Sequence, residues 1–418
     1  MAEDFQDGLR NLVANLGTSR DKSAGGAYVP NALTDSDLTN AYRTSAIARA
    51  VVDSLPDDAT REWREWQADG DEVAAIEAEE RRLGVRRVVN DALKRARLFG
   101  GAAIYIGTGD DAPSEPLDPD KLTPGGLRYL TVLDRQEMSA EQLQLDPSQP
   151  GYNRPTAYRV YGAGKKHVEI HPTRLVLFNG AQLPTNNLVQ SQHGWGDSVL
   201  QSILEPVKRL DATYANIGSL IYEAKVDVIR IKDFTQGLRA GGAEYENRML
   251  KRFALANTAK GINGALLLDA EEEYEQKSAN FSTLPEIADR MAQMVSAASG
   301  IPVTRLFGLS PGGMNATGES DMRNYYDRVK QIQSNKIEPE MEVLDACLVQ
   351  SALGCKPEQI IYQWRSLWQL DQVKRAEVAD KLTTAFERVY RMDEIVPGEA
   401  IAESLARSMG ELGFPFGA

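Results

Sequence analysis

The sequence predicts an α+β fold, and three observations carry that prediction. Between residues 35 and 98 apolar residues recur three and four apart, the mark of helices with one buried face. Between residues 99 and 180 the pattern changes to short apolar runs separated by Gly, Pro, Asp and Asn, in an order that favours antiparallel or mixed pairing over repeated βαβ units. After residue 196 the chain turns helical, is interrupted by a small insert of strand and helix composition, and returns to helix.

Residues 1–34 read as a loosely ordered arm. A short amphipathic piece (Phe5, Leu9, Leu12, Val13, Leu16) runs into loop composition, TSRDKSAGGAYVPNALT, and the arm either frays or reaches a neighbouring subunit. A helix is predicted over 35–55 with Leu38, Tyr42, Ile47, Val51 and Val52 inward and Pro56 beyond its end. Trp63 and Trp66 follow. A second helix over 72–98 opens on a charged, solvated face and becomes apolar at Val85, Val88, Val89, Leu93 and Ala96. The run 99–108 is a strand, with Ile104 and Ile106 on one face and Tyr105 on the other, and further strand segments fall at 127–133, 156–162, 166–170 and 173–180.

Asp197 reads as the N-cap of a helix whose stripe is Ile203, Val207, Leu210, Tyr214, Ile217 and Ile221; Pro206 inside it implies a kink or a start near Ser202. Strands at 226–234 and 264–269, a helix over 243–256 and the acidic run EEEYEQ make up the insert, and a helix over 283–299 closes it. Next come an apolar tether (300–308, GIPVTRLFG), a small-residue loop (309–318) and a long helix from near Glu319, with Thr317 as N-cap and Glu319 and Asp321 in its first turn. Pro339 removes a ladder donor and bends or splits that helix. A strand and turn with Trp364 and Trp368, then helices over 371–389 and 393–409, complete the chain.

Composition narrows the function classes. The chain has 418 residues, 42% of them hydrophobic, enough for more than one lobe. Lys and Arg number 47 against 60 Asp and Glu, a net charge of −13, which argues against a conventional nucleic-acid binder. Cys347 and Cys355 form neither a disulfide framework nor a zinc cluster, which points to a reducing compartment and small, partly buried side chains. No signal peptide and no membrane-length apolar run is visible, so a soluble product of the cytosol is expected.

Chemistry is sparse. The histidines are His167, His171 and His193, and His171-Pro-Thr173 is a single His-x-Thr, whereas a two-histidine phosphoesterase needs two facing each other. There is no phosphate-binding P-loop and no nucleophile elbow, and the acidic pairs (Asp57/Asp58, Glu79/Glu80, Glu271–Glu273) read as solvated faces. No cofactor or metal is expected.

The run GIPVTRLFG, a Gly/Asn/Thr loop, then Gly-Glu and an aromatic helix ending in IEPEMEVL resembles the portal (head–tail connector) proteins of tailed bacteriophages. The helix at 35–55 and the order helix, insert, helix, loop are similar to that family too. The resemblance implies a wing (35–196), stem helix one (197–224), a clip (225–282), stem helix two (283–299), a tunnel-loop region (300–318), a long wing helix (319–353) and C-terminal wing or crown helices (354–418). It implies a structural protein of the virion rather than an enzyme: a dodecameric ring at one capsid vertex, built during assembly with the major capsid protein. That ring would dock the terminase large subunit and later the head–tail adaptor, and would pass double-stranded DNA. The tunnel loop would be Pro311, Gly312, Gly313, Met314, Asn315 and Ala316, touching phosphates weakly and without regard to sequence because it holds no cation. Arg305, Lys330 and Lys336 are the nearby cations, facing the channel or a neighbouring subunit. The contrasting expectation is a hydrolase or nucleotide-processing enzyme with 308–318 as a lid.

Overall fold

The computed structural model describes residues 32–110, 112–149, 151–161, 167–222, 225–230, 242–244, 246–251, 273–278, 282–309, 318–355, 360–368 and 372–390, with a few positions between 402 and 409. The chain divides into two compact units, Met1–Gln201 with Ser310–Ala418, and Ser202–Leu309. Helix and antiparallel sheet are both present, as the patterning predicts.

In the first unit, α1 (Asp35–Thr44) begins on a capping box between Thr34 and Asp37. The single helix predicted over 35–55 is two. Ser45 adopts an extended conformation, and its side chain accepts from Ala48 N to start α2 (Ala46–Arg61). Pro56 lies inside α2, not beyond its end. It lacks the N–H that would bond the carbonyl of Val52, and a neighbouring helix supplies the missing donor: Arg97 Nε reaches Val52 O at 3.0 Å and Nη2 reaches Val51 O at 2.7 Å. The predicted helix over 72–98 is also two, α3 (Gly70–Leu83) and α4 (Val85–Phe99), because Gly84 takes a left-handed conformation, φ 64°, between them. Val85, Val88, Val89, Leu93 and Ala96 are buried along α4.

Strands β2 (Gly101–Gly107), β3 (Tyr129–Asp134) and β7 (Leu175–Asn179) form one antiparallel sheet with β2 central, Ile104 lying between Val132 and Val176. Ile104 and Ile106 are fully buried while Tyr105 meets Tyr129 on the other face, the alternation read from the sequence. Strands β4 (Met138–Leu143), β5 (Pro155–Tyr161) and β6 (His167–Ile170) form the second sheet. The sequence reading lacks β4, whose residues MSAEQL bury only Met138 and Ala140. A core of Ala103, Met138, Ala140, Tyr158, Ile170, Leu175 and Trp195 joins the two sheets.

Asp197 is not an N-cap. Its backbone exchanges hydrogen bonds with Ala181 at 2.7 and 2.9 Å. That strand-like bridge crosses the end of α4 so closely that a Cβ on Gly100 would lie 2.3 Å from the Gly196 carbonyl. A short helix α5 (Asn186–Ser191) precedes the crossing.

Near the two ends of the described chain, β1 (Arg64–Gln67) pairs antiparallel with β10 (Ile361–Trp364), Arg64 opposite Trp364. Helix α11 (Gln372–Tyr390) follows; of the helix predicted over 393–409 only scattered helical positions are described.

The second unit is the insert. Helix α6 (Leu204–Tyr222) begins beyond a 3-10 turn at Val199–Gln201, so its start is near the predicted Ser202, with Pro206 in its first turn. It packs on α7 (Leu284–Ser299), with Val207, Leu210, Ala288, Ala292 and Val295 buried. Between them β8 (Lys225–Arg230) pairs antiparallel with β9 (Glu273–Ser278). The acidic run is therefore a strand in part, and the strand predicted over 264–269 lies outside the described residues. Residues 242–244 and 246–251 are helical, inside the helix predicted over 243–256. The apolar tether ends in a short helix α8 (Val303–Phe307), stopped by Gly308 at φ 68°. Among the described residues no helix is long and apolar enough to cross a membrane.

Candidate functional site

The long helix starts at Glu319 as predicted and is split as Pro339 predicts. α9 (Glu319–Ile332) runs through a π turn, Gln333–Ile337, into α10 (Glu338–Leu353). Glu338 N–H bonds Gln333 O, five residues back, so the helix widens just ahead of Pro339, whose ring would clash with the carbonyl four residues back in a regular α turn. Its N-cap is Gly318, in a left-handed conformation with no side-chain cap; Thr317 lies outside the described residues.

Two hydrogen bonds fasten the broken helix to α2. Tyr325 Oη donates to Asp58 Oδ2 at 2.9 Å, and Gln333 Nε2 donates to Ala59 O at 2.7 Å, with Asp58, Tyr325 and Gln333 all buried. On α10, Met341, Leu344, Cys347 and Leu348 have no exposed surface, and Cys355 beyond it is exposed.

α10 is also tied to β1 through Arg64, whose side chain is 0% exposed. Arg64 donates from Nε at 2.9 Å and Nη2 at 2.7 Å to Glu80 Oε1. Its Nη1 stands 2.6 Å from Asp345 Oδ1, an ion contact lying off the hydrogen-bond direction. The rings of Trp66 and Tyr362 flank the guanidinium, each centroid 4.6 Å away. Burial opposes the charge on Arg64, but Asp345 and Glu80 outweigh it and hold the group protonated. Burial pushes the Asp345 carboxyl above the usual range, against the pull of Arg64. Alongside, Arg82 and Ser351 hydrogen-bond Glu79, each at 2.7 Å, and hold its carboxyl below the usual range despite burial.

A groove of about 330 Å³ opens where the π turn faces the segment after β7. Leu55, Leu93, Leu177, Phe178, Leu183, Val189, Trp195, Val199 and Ile332 supply apolar wall, and Arg97, Asn335, Lys336 and Glu340 are among its polar lining. Burial lowers the Arg97 guanidinium to about 10 and raises the Glu340 carboxyl.

Of the residues singled out from the sequence, Pro311, Gly312, Gly313, Met314, Asn315 and Ala316 lie outside the described residues. Arg305 is partly buried on α8 in the second unit. Lys330 and Lys336 are exposed on the broken helix, Lys336 at the groove. His171 Nδ1 stands 2.8 Å from Thr173 Oγ1 and caps the turn Pro172–Arg174, so the lone His-x-Thr has a local structural use. Among the described residues no group of His, Cys, Asp and Glu could hold a metal ion. Sequence reasoning missed Arg64 and Arg97. Arg64 had a signal, a cation at strand spacing from Trp66 and next to Trp63; Arg97 had none, since its role depends on a proline in another helix.

Fold and site together define an α+β chain: one unit of helices and antiparallel sheets with buried polar ties, and a second, inserted unit of helices and a strand pair. The chain belongs to the phage portal protein family, whose model matches residues 36–388. It is 41% identical over 387 residues to an "Anti-CBASS protein Acb1" of Caulobacter sp. (strain RHG1), covering 89% of this chain and 61% of that protein. It is 34% identical over 421 residues to a protein of the same name from Sphingomonas paeninsulae, covering 99% and 66%. The chain thus spans less than two thirds of the length of both relatives. Its fold is similar to a chain in the neck of a native gene transfer agent particle computed with C12 symmetry, at TM-score 0.56 and 16% identity over 92% of this chain and 96% of that one.

Proposed function

We propose that this chain is the portal subunit of a phage-like particle. It forms a closed ring, a dodecamer, at one capsid vertex beside the major capsid protein, and double-stranded DNA enters and leaves through the ring. The family match over 36–388 carries this reading. In it, 35–196 with 319–353 is the wing, 197–224 and 283–299 the stem, 225–282 the clip that docks the terminase large subunit and the head–tail adaptor, and 354–418 the rest of the wing or a short crown. Helix α6, the β8–β9 pair and α7 follow one another in the order that this reading requires. The tunnel loop is 311–316, with Arg305, Lys330 and Lys336 at the channel or between subunits.

The acidity fits transport. Many Lys or Arg contacts to phosphate would hold DNA through counterion release, whereas a chain of net charge −13 lets it slide. A ring of this kind has heterologous interfaces, one face of a subunit on a different face of the next. The anti-CBASS name belongs to proteins longer than this chain, and no catalytic cluster among the described residues favours an enzyme with 308–318 as its lid.

Native mass measurement with negative-stain microscopy tests the reading. The expected particle is a ring of about twelve copies with a central hole; a discrete monomer or dimer that stays unassembled beside capsid protein overturns it. Deleting 311–316 should leave the ring intact and impair DNA packaging or retention. Loss of the ring on deletion would make the loop an assembly element instead.

A further inference from the structure

Strand β7 has an open edge. Among the described strands it pairs with β2 alone, and just past its end Gly180 N–H still turns to that side, donating to Gly100 O at 3.0 Å. Backbone groups alternate in direction along a strand, so Val176 and Phe178 also turn towards β2, while Leu177 and Asn179 turn away from it. On the outward side Ala181 exchanges hydrogen bonds with Asp197, and the pairing stops after this one bridge because the chain turns off at Val199–Gln201. Among the described residues the outward backbone groups of Leu177 and Asn179 have no partner.

The groove beside the π turn runs along this edge. Residues 177–183 form one bank, and Ile332, Lys336 and Glu340 stand on the other. A free strand edge facing a helix across an apolar groove can take one more strand, because the unpaired N–H and C=O groups are a template for it. The side chains of an added strand would alternate, one set towards Leu177 and Trp195 and the other towards Phe178.

The charge at the groove is positive in a chain of net charge −13. Arg97 gives Nε and Nη2 to the carbonyls of Val52 and Val51, which leaves Nη1 without a bond. Asp53, the carboxylate whose field reaches Arg97, accepts instead from Tyr42 Oη at 3.0 Å. Lys336 is exposed, and among the described residues neither cation has a carboxylate within ion-pair distance. Burial raises the Glu340 carboxyl and so favours its neutral form.

We propose that the open edge of β7 docks an extended segment of a partner polypeptide, apolar and carrying a carboxylate that meets Lys336 and Arg97. Pairing with the outward groups of Leu177 and Asn179 holds its backbone, and Leu183, Val189 and Ile332 cover its apolar side chains. The free edge selects a strand over a helix, and the unpaired cations select an acidic segment over a basic one. The portal reading puts its docking partners on the clip, 225–282; this surface lies in the other unit and does not depend on that reading.

Selection of an amino-acetylated random heptapeptide library on the immobilised full-length chain tests this. Bound peptides should be several-fold enriched in Asp or Glu beside Val, Ile or Leu, and Lys336→Glu, a change at an exposed side chain, should abolish the acidic preference. N-methylation along the tightest peptide then reads the backbone: methyl groups at alternate positions should weaken binding several-fold, and those between should not. With that peptide bound, hydrogen exchange should slow over 177–179 and stay unchanged over 225–230. A pool without acidic enrichment, or one whose enrichment survives Lys336→Glu, overturns the proposal. Even tolerance of N-methylation overturns strand pairing, and protection that falls outside 175–183 overturns the groove as the site.

Discussion

Arg64, buried, and Arg97, partly buried, are two arginines in the same unit with opposite electrostatics. Arg64 meets two carboxylates and two aromatic faces and is held protonated. Arg97 meets two backbone carbonyls, and burial lowers it to about 10. The first neutralises charge that β1, α3 and α10 bring together; the second supplies a donor that Pro56 withholds from α2. Desolvation of an arginine therefore says little until its partners are known: removing Arg64 strands two acids, whereas removing Arg97 strands the Val52 carbonyl.

That contrast orders the expected effects. Arg64→Met should be the most damaging, about 3–5 kcal/mol, because Glu80 and Asp345 are left buried without a cation. Urea denaturation followed by tryptophan fluorescence reads it, and adding Asp345→Asn should return part of the loss. Absence of any return would mean the aromatic packing, not the charge, is what Arg64 supplies.

Arg97→Met should cost about 1–3 kcal/mol, mainly through the Val52 carbonyl it leaves without a donor. Here the rescue is different: Pro56→Ala restores an N–H for Val52 O and should recover about 1 kcal/mol in the Arg97 variant. The same change should show no such coupling with Arg64→Met. Strictly additive losses at residues 56 and 97 would sink the donor assignment.

Acid should separate the groups around Arg64. Glu79 is held below its ordinary value of 4.5, so its contribution is complete above that value and is lost as pH falls through the lower, folded-state one. Asp345 has the opposite sign: its carboxyl is raised, so protonation relieves it on the way down. Glu79→Gln should therefore flatten the fall in denaturation midpoint below pH 4.5, and Asp345→Asn should not. The reverse result would transfer the acid sensitivity to the Arg64 cluster.

The smallest effect is expected at the other proline. Pro339→Ala should change stability by less than about 1 kcal/mol, since the π turn widens the helix where an α turn would clash. A loss as large as that of Arg97→Met would show that Pro339 braces α10.

What could be read from the sequence was what is local. The long helix from Glu319, its break at Pro339, the faces of Ile104 and Tyr105 and the antiparallel order all follow from spacing and from groups that only proline lacks. The single helix predicted over 35–55 failed because its apolar stripe runs unbroken across Ser45, which caps one helix while ending another. Strands β4 and β9 failed because their residues, MSAEQL and EYEQKS, are mostly polar and lack the apolar alternation that marks a strand, while their order comes from pairing with distant segments. Asp197 looked like a cap and is a bridge, since its partner Ala181 belongs to another stretch of chain. At the site, the exposed lysines were visible as charges, but the groove was not, because its walls come from four separated segments.

The pairing of β1 with β10 bears on how the protein is made. Gln67 faces Ile361, 294 residues later. At about 5–20 residues per second, a ribosome takes roughly 15–60 s to deliver the second strand. During that interval Arg64 lacks Asp345 and Trp66 lacks Tyr362, while the whole insert emerges and α6 and α7 can meet on their own. A nascent chain halted before residue 361 thus exposes an unpaired strand flanked by tryptophan, which is what a holding chaperone recognises. A strand synthesised after the whole insert completes a unit begun before it.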